Sequence, residues 1–203
     1  MEPVKSKWLV FAIPFQYKKK KQPLIRHRLE MNFHVPDIDK LCFNLGYLYE
    51  RGDLENFHIE KDRIILITGA GILPKEFIDS YTIINSHSGY IPNCRGLDAF
   101  KWAIVENQPI GVTTHLLGED IDAGKIIERR IIDIYQTDTF HAVAERVYEN
   151  EVSMLVEAID KCHDSDSEII SPGTYELHKR MPEKIEKDLL EMFEQYKRIH
   201  ANE

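Results

Sequence analysis

The stretch 63-RIILITGAGILPKEFIDSYTIINSH-87 decides the fold. RIILITG (63–69) is an apolar run too short for a helix, and it ends in a turn rich in glycine. That pattern predicts a buried strand. Pro74 suits the first turn of a short helix, and YTIIN (81–85) is apolar again. Working outward, WLVFAIPF (8–15) is a third such run, closed by Pro14. Three buried runs interleaved with helical segments predict an α/β fold, doubly wound, with a mostly parallel sheet and helices on both faces.

The flanks add further elements. YKKKKQPLIRHRLE (17–30) carries six basic residues before its first acid and reads as a solvated turn or a phosphate-binding segment. Residues 37–56 place Leu41, Leu45 and Leu48 at helical spacing, with Gly52 as a stop. LDAFKWAIVEN (97–107) predicts a helix with Phe100, Ala103 and Ile104 on one stripe. IGVTTHLL (110–117) predicts a strand with Gly111, Thr113 and His115 on one face. The turn GEDIDAG (118–124) leads into a further strand over 125–134. Asp138 is the expected cap of a helix running to about Lys161. HDSDSEIISPGTYE reads as loop, and Pro182 opens a last helix with Leu189, Leu190 and Phe193 on one side. That stripe fits either its own core or a second copy in a homodimer. The expected organisation is a catalytic domain over 1–165 and a loop-and-helix extension over 166–203.

The chain has 203 residues, 43% hydrophobic and 30% charged, which suits a globular protein with a sizeable core. Its net charge of −8 argues against a global field that attracts nucleic acid. Cys42, Cys94 and Cys162 show neither a paired framework nor C-x-x-C spacing. Reduced thiols, a cytoplasmic setting and no zinc site follow. No apolar run has the length of a membrane span.

Asn85 closes the apolar run YTIIN (81–85) and His87 follows it, at the end of a predicted parallel strand, where open α/β sheets place ligand sites. Two apart in extended chain, they point the same way, while Ser86 points away. An amide NH₂ and an imidazole converging on one point can hold a carbonyl oxygen as it gains charge, and the imidazole can move a proton. Cys94 has no basic partner to activate it, and Ser86 and Ser88 lack a nucleophile elbow. The nucleophile therefore comes from the substrate, unless the pair is a capped strand end with a satisfied histidine. Asp122 lies seven residues after His115 in a loop flanked by glycine, where it can pair with an imidazole or simply form the turn.

Asn85-x-His87, then 91-IPNCRG-96, an aromatic-Ala-Ile helix and 111-GVTTHLLGEDIDAGKII-127 resemble the 10-formyltetrahydrofolate-dependent formyltransferases over about residues 63–160. The resemblance implies a Rossmann-like fold and a formyl transfer from 10-formyltetrahydrofolate, with no metal. It places the catalytic residues at Asn85, His87 and Asp122, supported by His115 and Thr113. Asn85 and His87 would stabilise the oxygen of a tetrahedral intermediate, and Asp122 would orient His87 and help relay the proton, with His87 as base or oxyanion partner. The folate would lie between the turn Thr68, Gly69, Ala70, Gly71, Ile72, Leu73 and the loop Gly118, Glu119, Asp120, Ile121. One departure is His87-Ser88-Gly89, where the family usually has His-Pro-Ser.

Among the branches, methionyl-tRNA formyltransferases append a C-terminal barrel and the hydrolases an N-terminal regulatory domain, and neither fits this length. Glycinamide ribonucleotide formyltransferases use a Gly/Ser-rich phosphate loop where this chain has PFQYKKKKQPL. 95-RGLDAFKWAI-104 and 177-LHKRMP-182 look most like the enzymes acting on nucleotide-linked 4-amino-4,6-dideoxyhexoses. That resemblance implies a small-molecule nucleotide-sugar substrate in surface polysaccharide or O-antigen synthesis. Lys18, Lys21, Arg26, Arg28, Arg95 and Trp102 are its candidate substrate contacts. The region before Asn85 is about one βα unit shorter than the family usually has. A glycinamide ribonucleotide formyltransferase and a catalytically silent binding protein are the alternatives.

Overall fold

The computed structural model describes residues 8–14, 22–27, 36–118, 124–163, 169–170 and 175–202. The chain forms two compact units, one of Met1–Gln22 with Glu30–Glu60 and one of Pro23–Leu29 with Lys61–Glu203. The first unit pairs β1 (Leu9–Ala12) in parallel with β2 (Leu48–Arg51), and α1 (Ile38–Leu45) lies between them in the chain. Sequence spacing extends that helix to 56, but it ends at Gly46, which takes φ 71°. The amides of Gly46 and Tyr47 turn back onto the carbonyls of Phe43 and Cys42, a left-handed cap that frees LYER to become a strand. Phe11 packs on Phe57 with ring centroids 4.5 Å apart.

The second unit is built on the opening stretch. β3 (Ile64–Leu66) pairs in parallel with β4 (Thr82–His87) through α2 (Lys75–Ser80), which starts behind Pro74. After β4 come β5 (Arg95–Gly96), α3 (Ala99–Val105), β6 (Gly111–Leu116) and β7 (Gly124–Ile131). Then follow α4 (Phe140–Lys161), β8 (Ile169–Ile170), β9 (Leu177–His178), α5 (Glu183–Glu186) and α6 (Leu189–His200). The five-stranded sheet runs β3-β4-β6-β7-β8, and β5 pairs with β9. The α/β class is as expected. Pairing is parallel at β1–β2, β3–β4 and β5–β9, while β4–β6, β6–β7 and β7–β8 are antiparallel. The sheet proper is therefore mixed, because the chain re-enters it at β6 from the end where β4 leaves.

α4 packs on β4, β6 and β7. Its buried side includes Phe140, Val143, Ala144, Val147, Met154, Leu155 and Ala158. The N-cap is Thr139, whose hydroxyl accepts from the Ala142 amide at 3.1 Å, not the expected Asp138. Asp138 instead accepts from the Tyr135 amide and pairs with Arg146. In the main core α3, α4 and α6 meet: Phe140 lies 5.0 Å from Phe100 and edge-on to Phe193 at 5.8 Å. Each such buried side chain contributes roughly 1.5–3 kcal/mol. Leu189 and Phe193 are fully buried in this core while Leu190 is exposed, so the last helix packs within its own unit and residues 175–202 are not a separate body.

Candidate active site

β4 carries Asn85 and His87 to its C-terminal end, and β6 meets it with Asn85 opposite His115 and His87 opposite Thr113. Cross-strand partners share a face, so the four side chains form one polar patch on the sheet. Thr113 and His115 are completely buried, His87 nearly so, and Asn85 half-buried. On the opposite face, under α4, lie Ser86 and Thr114, whose hydroxyls have no hydrogen-bond partner among the described residues. Ser86 does point away, as the alternation requires.

The hydrogen bonds assign proton positions. His87 Nε2 lies 3.0 Å from the Cys94 carbonyl. A carbonyl only accepts, so Nε2 carries the proton and the neutral ring has its lone pair on Nδ1. His115 Nδ1 lies 3.2 Å from the Leu116 carbonyl, so it donates, and Nε2 accepts from the Asn85 amide at 3.3 Å. His115 thereby fixes which way the Asn85 amide faces. The Thr113 hydroxyl donates to the Gly89 carbonyl at 2.8 Å and accepts from the Ile91 amide at 3.1 Å, fastening the loop after His87.

Gly89 explains the departure from His-Pro-Ser. A Cβ at this position would meet the Cys94 carbonyl at 2.4 Å, His87 Nε2 at 2.6 Å and Ala99 Cβ at 2.8 Å. Only glycine lets the loop close onto the imidazole. Cys94 is buried against this loop, and burial, with a smaller push from Glu106, raises its thiol to about 12. It stays protonated and is no nucleophile.

The turn Thr68–Leu73 leaves β3 beside Asn85, since the Ile67 amide donates to the Ile84 carbonyl. Thr68 through Ile72 are exposed, Leu73 is half-buried, and nothing lies within 4 Å of a Cβ added at Gly69 or Gly71. This accessible backbone next to the polar patch fits a flat ring with mixed donors and acceptors. The second loop leaves β6 after Leu116 and returns at Gly124, whose φ of 116° and 2.8 Å approach to the Leu116 carbonyl admit no side chain. Gly118 belongs to this stem. Glu119, Asp120, Ile121 and Asp122 lie outside the described residues, as do Lys18, Lys21 and Arg28.

The remaining candidates fall elsewhere. Arg95 is 4% exposed within β5, and its burial makes it part of the loop's own packing instead of a solvent-facing contact. Arg26 is half-buried, and its carbonyl accepts from His141 Nε2 at 3.0 Å. One face of Trp102 is covered by His178, and its N–H donates to the Lys179 carbonyl at 2.8 Å. Sequence reading missed Arg129, which pairs across from Thr113 and so joins the row His87–Thr113–Arg129, with its guanidinium 5.7 Å over the Tyr90 ring. Its place on that face depends on the β6–β7 register, which is offset by an irregularity between Thr114 and His115 that period-two reading does not anticipate.

A family model described as formyl transferase matches residues 54–159, over half of the chain. The chain belongs to the formyl transferase family. It is 28% identical over 141 residues to a methionyl-tRNA formyltransferase of Thermodesulfovibrio yellowstonii, covering 64% of this chain and 46% of that protein. It is 29% identical over 130 residues to a dTDP-4-amino-4,6-dideoxyglucose formyltransferase of Mycobacterium tuberculosis, covering 64% of this chain and 52% of that one. The chain thus spans about half the length of these curated relatives. Its fold matches the formyltransferase PseJ from Anoxybacillus kamchatkensis, a structure in complex with UDP-4,6-dideoxy-4-formamido-L-AltNAc and tetrahydrofolate. That match has a TM-score of 0.52 at 21% identity, covering 71% of this chain and 82% of that one. Among the described residues no helix is long and apolar enough to cross a membrane, and no three His, Cys, Asp or Glu side chains cluster as metal ligands.

Proposed function

We propose that this formyl transferase family member transfers a formyl group from 10-formyltetrahydrofolate to the amine of a nucleotide-linked amino sugar, a 4-amino-4,6-dideoxyhexose. The observation that carries the reaction class is the patch of Asn85, His87, Thr113 and His115 with its protons assigned. The exposed backbone of Thr68–Ile72 would hold the folate, together with the loop that begins at Gly118. When bound, the folate supplies an electrophilic formyl carbon to the attacking amine. The Asn85 amide, with one N–H given to His115, offers its other N–H to the oxygen that gains negative charge. His87, with Nε2–H held by Cys94, takes the amine's proton at Nδ1 and then stabilises the same oxygen as an imidazolium. As the new C–N bond forms, the bond from the formyl carbon to its donor nitrogen breaks, and Asp122 would orient His87 and help pass the amine's proton to that leaving nitrogen, which departs as tetrahydrofolate.

The amino-sugar substrate rests on two supports. One is the likeness of 95-RGLDAFKWAI-104 and 177-LHKRMP-182 to that branch, and the other is the 29% identity to the dTDP-sugar enzyme. Surface polysaccharide synthesis in the cytoplasm is the setting this implies. The methionyl-tRNA enzymes are about as similar in sequence, so the acceptor is the part to test.

The experiment incubates the purified chain with 10-formyltetrahydrofolate and a panel of acceptors, and reads the formyl mass increment. Nucleotide-linked 4-amino sugars are expected to react. Asn85→Ala and His87→Asn are expected to lower kcat by about 10² or more. Formylation of glycinamide ribonucleotide or methionyl-tRNA alone overturns the acceptor. An unchanged rate in His87→Asn overturns the site. Melting shifts on adding nucleotide sugar, with no product, point to a binding protein.

A further inference from the structure

β9 is two residues long, Leu177–His178, and it pairs in parallel with β5, Arg95–Gly96. A pair this short does not hold itself together in water, so side chains must anchor it. Gly96 takes φ 89°, and a Cβ there would sit 2.2 Å from the His178 carbonyl oxygen, so the two backbones touch more closely than any side chain permits. The Leu97 amide donates to the same His178 oxygen at 3.0 Å. The His178 ring lies flat on Trp102, with centroids 4.6 Å apart and planes 10° from parallel, and its Nε2 meets a Glu106 carboxylate oxygen at 3.1 Å. Its side chain is 5% exposed. Trp102 donates to the Lys179 carbonyl, and Asp98 accepts from the Met181 amide at 2.9 Å. His178 is thus clasped by both ends of the segment that runs from β5 through α3.

The other end of β5 bears on the active site. Residue 94 precedes it directly, and the Cys94 carbonyl accepts the hydrogen bond from His87 Nε2. The amide of Cys94 in turn donates to the Tyr90 carbonyl at 3.0 Å. The orientation of that one peptide decides which nitrogen of His87 keeps its lone pair.

We propose that His178 is a positioning residue for His87. By holding β9 on β5 it fixes the Cys94 carbonyl, and that carbonyl holds His87 in the Nε2–H tautomer with Nδ1 as the accepting nitrogen. Imidazole is the side chain that does this, because it stacks flat on the indole and bonds the Glu106 carboxylate from the ring edge. An aliphatic residue fills the stack but leaves the carboxylate without its partner. The proposal rests on the reading of His87 as a participant in the reaction, and its first readout is independent of turnover.

The test records the tautomer of His87 by nitrogen-15 NMR of the labelled imidazoles, assigned by the loss of its signals in His87→Gln. In the wild-type chain a single Nε2–H tautomer is expected. In His178→Ala the two ring nitrogens are expected to converge toward a tautomer mixture. With a nucleotide amino sugar as acceptor, kcat is expected to fall about tenfold or more, with KM within about twofold. His178→Gln, whose amide donates to Glu106, is expected to restore most of both. Should His178→Ala not fold, Trp102→Phe keeps an aromatic ring and removes the bond to Lys179, and the same shift is expected in smaller measure. An unchanged His87 signature in the folded variant overturns the proposal. A shifted tautomer in a chain whose wild type forms no product upholds the positioning and overturns the reaction reading instead.

Discussion

Cys94 sits where a thiol invites suspicion, next to the His87 ring, and its surroundings silence it. Burial and the Glu106 carboxylate push its thiol from an ordinary 9.0 up to about 12. All three cysteines are buried. Labelling with a disulfide reagent at pH 8 is expected to be negligible over minutes in the folded chain and complete in denaturant. The raised value also has a sign. Below pH 9 the thiol is protonated in both folded and unfolded states. As pH climbs toward 12 only the unfolded chain loses the proton, so stability is lost at up to about 1.4 kcal/mol per pH unit. Cys94→Ala is expected to flatten the alkaline fall of the urea midpoint. At this scale the sequence was informative about the pair Asn85 and His87, because alternation along a strand is a rigid rule. It was silent on Gly89, whose need comes from three atoms brought to it by the fold.

Between elements, the Lys101–Glu186 ion pair is the sharpest feature. Lys101 on α3 and Glu186 on α5 are both almost completely buried, and Glu186 also accepts from the Leu24 amide at 2.8 Å. Burial pushes the Glu186 carboxyl up, but the Lys101 ammonium and the Leu24 amide outweigh it and hold it below the usual range. The stability it contributes is therefore present at neutral pH and lost as the carboxyl takes up its proton in acid. Lys101→Met is expected to cost about 3–5 kcal/mol by stranding a buried carboxylate, and adding Glu186→Leu is expected to recover most of it, read by chemical denaturation. No sequence rule pairs residues so far apart in the chain. The elements themselves were largely legible, since β3, β4, α3, β6, β7 and α4 all lie where apolar spacing puts them. What spacing missed was the left-handed cap at Gly46, which splits one expected helix into α1 and β2. It also missed the antiparallel return of β6, because an apolar run has no direction.

For the molecule as a whole, a net charge of −8 sets the terms on which polyanions are met. Relatives that act on methionyl-tRNA have a substrate whose backbone alone rewards cationic surface. This chain is expected to show no retention of tRNA in a gel-shift at about 50 mM salt, a condition that favours electrostatic binding; retention at micromolar protein would instead favour the tRNA acceptor. The polar patch is assembled from β4 and β6, which are close in sequence, but its brace is not. Leu177 and His178 come about eighty residues after the strand they hold. Chains are made from the N-terminus at a few to about twenty residues per second. A growing chain therefore holds His87 for several seconds before the segment proposed to steady it has left the ribosome. The imidazole is delivered early, and on the proposed bracing its alignment waits for β9.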